Sequence, residues 1–137
     1  MNNSTIGICV ALGVSFFFLY TRKKKWQNPK IVWLICFGLL LLGISGFVIS
    51  NTKIKRDLIL YYGFCIPIIY WFFDRLFKTL SFKIQNRDFI LYLKGSDEID
   101  SSLGGKNPHV KESDILFSFG LLIIIVLSTL IGVLILR

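Results

Sequence analysis

Apolar residues in this chain gather into four long runs, and each run is free of charge. The uncharged stretches are 5–20, 31–51, 58–73 and 115–136, with 16, 21, 16 and 22 residues. None of them alternates strictly or shows a narrow apolar stripe, so they read as helices that are apolar all round. At about 1.5 Å rise per residue, the second and fourth reach about 31 and 33 Å, enough to cross the hydrocarbon core of a bilayer. The first and third reach only about 24 Å, so they span with the help of snorkelling flanks or local thinning. The fold class expected is an all-α membrane protein of four transmembrane helices forming one polytopic domain over 1–137.

Between the third and fourth runs lies 74–114, the only piece large enough to hold a water-exposed site. It opens with Leu76, Phe77 and Leu80 on one helical face, which predicts that the third helix continues here along the membrane surface. Phe82-Lys83-Ile84-Gln85 then alternates, and Phe89-Ile90-Leu91-Tyr92-Leu93-Lys94 is a short apolar run. With Asn86-Arg87-Asp88 between them, the two predict a small β-hairpin. A lone hairpin is marginal in water and needs cover. Phe89, Leu91 and Leu93 should point to one side and Ile90 and Tyr92 to the other. All five are candidate interaction residues. The run Arg87–Lys94, read as Arg-Asp-Phe-Ile-Leu-Tyr-Leu-Lys, resembles an R-x-F-[IV]-L-Y-L-[RK] strand of bacterial membrane-anchored proteins. In those proteins the strand follows transmembrane helices. The resemblance implies a strand on the cytoplasmic side and carries over no functional residue.

Charge refines the topology. The chain is 54% hydrophobic with a net charge of +8, yet seven of its eight acidic residues lie in 74–114. Lys and Arg crowd the helix ends instead. Placing 21–30 and 74–114 inside puts twelve basic residues there and four outside. The positive-inside rule therefore predicts both termini outside and 74–114 cytoplasmic. The richness in Ile, Lys, Asn and Phe suits an AT-rich bacterial genome, so the membrane expected is the inner membrane of a bacterium. Lys53, Lys55 and Arg56 oppose this and snorkel at the outer end of the third helix. The first run is preceded by no charge and followed by Arg22-Lys23-Lys24-Lys25, so it reads as a retained anchor. The aromatics Tyr20, Trp26, Trp33, Tyr61, Tyr62, Tyr70 and Trp71 sit where interfacial belts are expected. Membrane topology accounts for the basic charge, and no nucleic-acid role is expected.

Candidate chemistry is sparse. None of the four runs holds an ionisable Asp, Glu, Lys, Arg or His, which counts against intramembrane proteolysis, proton-coupled transport and voltage sensing. No phosphate-binding loop, zinc helix or nucleophile elbow occurs. Cys9, Cys36 and Cys65 fall in three different helices and read as small apolar fillers. His109 stands alone, and the Asp97-Glu98-Asp100 cluster lacks calcium-loop spacing, so it reads as a solvated loop. No catalytic, cofactor-binding or metal-ligating set is identified, and no small-molecule substrate. What the runs do contain is small residues at packing spacing: Gly7 and Ala11, Gly46 and Ser50, Ser128 and Gly132, together with Gly38 and Gly43. Pro67 should kink the third helix. These features predict a non-enzymatic interaction or scaffolding subunit that binds a protein partner or itself through its cytoplasmic segment. The other readings are a small oligomeric pore or defence effector, and an immunity-type protein that blocks a toxin's pore.

Overall fold

The computed structural model describes residues 2–49, 55–99 and 107–136, and its elements are four helices. They are α1 (Asn3–Thr21), α2 (Pro29–Ile49), α3 (Lys55–Gln85) and α4 (Glu112–Leu136). All four are long and apolar enough to cross a membrane. α1 has 19 residues and α3 has 31, so neither is as short as its uncharged run. At about 1.5 Å per residue they measure about 28 and 46 Å.

The helix ends follow from local chemistry. Asn28 caps α2: its side-chain oxygen accepts from the Lys30 amide at 3.0 Å and its carbonyl from Ile31 and Val32. Pro29, which has no N–H to satisfy, takes the first helical position. Gln27 closes α1 by donating from Nε2 to the Phe18 carbonyl and to Thr21 Oγ1. α3 stops at Gln85 because Asn86 turns left-handed, with φ 56°, and its amide bonds the Phe82 carbonyl. Pro67 does not interrupt α3, although its missing N–H leaves the Gly63 carbonyl without the usual helical donor.

By contact density the chain forms two units, Met1–Trp71 with Ile125–Arg137, and Phe72–Ile124. In the first, one stripe of α1 is buried, with Gly7, Ala11, Ser15 and Phe18 at successive turns. Its core also holds Val32, Cys36, Ile59, Ile66, Tyr70 and Ile125. The remaining faces are apolar and exposed: Leu34, Val48, Ile49 and Ile135 are 74–81% accessible. Apolar surface on this scale requires an apolar solvent.

Two expectations are corrected. Among the described residues there is no β-strand, so the hairpin does not form. Phe82-Lys83-Ile84-Gln85 is instead the last turn of α3, which runs on through Leu76–Leu80 as one continuous helix, as expected for that segment. Four alternating residues also fit a helix whose buried side carries Ser81 and Gln85, while Phe82, Lys83 and Ile84 face out. Tyr70 and Trp71, expected in an interfacial belt, are 0% and 1% accessible and belong to the core. Ser50 and Asp100 lie outside the described residues.

Candidate functional site

In the unit Phe72–Ile124, a stretch from Asp88 to Tyr92 belongs to no helix or strand. Burial alternates along it: Phe89, Leu91 and Leu93 are 0, 0 and 3% accessible, whereas Ile90 and Tyr92 are half-buried. The period of two expected of a strand is present, but the ladder is not. Side chains replace it. The Ile90 amide donates to Asp114 Oδ1 at 3.1 Å, the Leu91 amide to Glu98 Oε2 at 2.7 Å, and the Tyr92 amide to Ser118 Oγ at 2.8 Å. Ser118 also lies 3.1 Å from the Ile90 carbonyl and 2.7 Å from the Asp114 carbonyl, either of which can take its single proton. A buried backbone donor must be satisfied somewhere, and here three in succession are satisfied by an acid, an acid and a hydroxyl.

Asp114 organises this arrangement. It is the third residue of α4, and its Oδ2 reaches back to the Lys111 amide at 2.9 Å, half of a capping box. Oδ2 also accepts from Arg87 Nη2 at 2.7 Å, and Oδ1 from Gln85 Nε2 at 2.8 Å. The carboxylate is fully buried, while 32% of the Arg87 side chain is accessible. Four donors, one of them a guanidinium, offset the cost of removing this charge from water. Arg87 Nη2 further donates to the His109 carbonyl at 3.2 Å, and Ser81 Oγ donates to the Arg87 carbonyl at 2.8 Å. Behind the segment, Phe89, Phe117 and Phe77 stack in sequence with centroids 5.5 and 5.3 Å apart. Asp74 is likewise fully buried and pairs with Arg75 Nη2 at 2.9 Å.

The other residues singled out from the sequence are dispersed. In the unit Met1–Trp71 with Ile125–Arg137, most of the small residues meet α3. A side chain at Gly63 would fall on the Gly7 carbonyl, and one at Gly7 would lie 2.6 Å from Leu60 Cα. Gly43 would meet the Tyr61 carbonyl at 2.7 Å, and Gly46 and Gly132 are covered by the rings of Tyr61 and Tyr62. Tyr62 also donates to the Ser128 carbonyl at 3.0 Å. Gly38 is different: nothing lies within 4 Å of a side chain built there. Ala11 is fully buried, and Pro67 offers its carbonyl to Cys36 Sγ at 3.7 Å. All three cysteines are free thiols.

Glu98 accepts from the Leu91 amide through its side chain, and His109 Nε2 lies 3.3 Å from the Glu98 carbonyl. Among the described residues no group of three potential metal ligands exists. Asp114, Arg87, Gln85 and Ser118 were not legible as a set. Asp114 reads locally as a helix cap, and its partners lie 24–29 residues away. No protein-family model matches the sequence, and neither a curated protein nor a solved structure shows significant similarity to it.

Proposed function

We propose that this chain is a non-enzymatic integral membrane protein that serves as an interaction subunit, with the Asp88–Tyr92 stretch presenting its contact surface. The observation that carries this reading is the rigid display of Ile90 and Tyr92. Their neighbours Phe89, Leu91 and Leu93 are buried and three consecutive amides are held, so the two half-exposed side chains stand on a fixed backbone. Ordering a surface beforehand lowers the entropic cost of binding, and apolar or aromatic anchors supply most of the energy at protein interfaces. The partner is a second copy or another membrane subunit. No intramembrane chemistry is assigned, since the buried carboxylates of Asp74 and Asp114 are engaged by Arg75 and Arg87.

Ile90→Asp and Tyr92→Asp should insert normally and lose the partner on co-purification from mild detergent. Leu91→Asp, at a fully buried position, should instead unfold the segment and serves as the contrast. Should both surface variants assemble like the parent, the reading fails and an oligomeric pore takes its place. We further propose that both termini lie outside and 74–114 is cytoplasmic. In a cysteine-free background, Asn2→Cys should then react with an impermeant thiol reagent on intact cells, and Lys94→Cys only after lysis. The opposite pattern reverses the orientation.

A further inference from the structure

Among the described residues of its unit, α2 carries a face that is left open. Trp33, Leu34, Phe37, Gly38 and Leu41 line a groove of about 510 Å³ along it. The floor is Gly38, where a side chain would meet nothing within 4 Å. One wall is fixed, because the Trp33 ring packs edge-on against the buried Trp71 ring at 6.5 Å. Lys30, the second residue of α2, precedes Leu34, Phe37 and Leu41 by four, seven and eleven positions. Residues so spaced share one helical face, so the exposed lysine stands at the head of the groove. The adjoining turn is Arg22-Lys23-Lys24-Lys25, and no Asp or Glu occurs before Asp57.

An apolar channel headed by a cation, with further basic residues in the adjoining turn, matches one kind of membrane component. We propose that the face of α2 from Lys30 to Leu41 binds one anionic phospholipid, its acyl chain in the Trp33–Gly38–Leu41 groove and its phosphate at Lys30. A second copy of α2 fits this face poorly. Copies inserted in the same direction would bring Lys30 against Lys30, and like charges at one depth repel. Four residues either side of Gly38 stand Leu34 and Leu42, so the small-residue spacing that lets two helices approach closely is absent.

Native mass spectrometry of the full chain in mild detergent, with phosphatidylglycerol or phosphatidylcholine added, tests this directly. The parent should prefer phosphatidylglycerol, and Lys30→Gln should cut that preference about fivefold, the effect of one basic residue near an anionic surface. Gly38→Leu should weaken both lipids alike and leave their ratio unchanged, because it fills the channel without touching the headgroup. Both positions are exposed, so helicity by circular dichroism should match the parent in each variant. An unchanged preference in Lys30→Gln, or unchanged binding of both lipids in Gly38→Leu, overturns the proposal. A lipid-free dimer that Gly38→Leu converts to monomer also overturns it, in favour of α2 pairing.

Discussion

The two units of this protein are held together by opposite means. In Met1–Trp71 with Ile125–Arg137, cohesion comes from absence: glycines at 7, 43, 46, 63 and 132 let backbones and rings approach where any side chain would collide. In Phe72–Ile124, cohesion comes from presence: one buried carboxylate gathers four donors, and a hydroxyl and a second acid hold the next two amides. The difference follows from solvent. In lipid there is no hydrophobic drive between helices, so close packing must hold them. A segment with irregular backbone must instead find a partner for every amide it buries.

The largest expected effect breaks the polar unit. Asp114→Ala leaves the Arg87 guanidinium and three further donors without their acceptor, and should destabilise by about 3 kcal/mol. That is the lower end for breaking a buried pair, because a third of the Arg87 side chain is accessible. Hydrogen exchange should accelerate at the Ile90 amide and leave α1 protected; acceleration spread equally over both units would refute the division. Gly63→Leu attacks the other unit, with an expected cost of about 2–3 kcal/mol from overpacking against Gly7, read as a lowered melting temperature in detergent. Retention of the parent's melting temperature would show that the α1–α3 crossing is not close-packed. Ser118→Ala should cost about 1–2 kcal/mol by orphaning the Tyr92 amide, seen as faster exchange there. His109→Ala is the smallest, under about 0.5 kcal/mol, since the ring is exposed and makes one long contact. A loss of stability matching that of Ser118→Ala would give the histidine a structural part the geometry does not show.

The helices were legible because four uncharged runs leave no alternative; their full length was not, because Asp57, Asp74 and Asp114 bound the uncharged runs without ending the helix. The alternation of Phe89, Leu91 and Leu93 was legible too, as burial with a period of two. What could not be read was the identity of the partner that satisfies the backbone. A strand's amides look the same in sequence whether they face another strand or a carboxylate. Asp114 and Glu98 came from 24 residues away and 7 residues away, one on a helix and one in a loop. Two runs flanking a polar turn predict a hairpin, but here Asp114 and Ser118 of α4 and Glu98 of the loop supply the acceptors in place of a second strand.

The three occupied amides of Ile90, Leu91 and Tyr92 have a consequence for assembly and for aggregation. Exposed extended chain commonly recruits further chain by offering its main-chain donors, as in β-augmentation and in fibrils. This stretch has no such donors to offer at those positions. A chain docking along it would first have to displace two carboxylates and a hydroxyl. An apolar sequence that in isolation resembles a fibril-forming heptad is thereby disarmed, and whatever recognises it must read side chains rather than backbone.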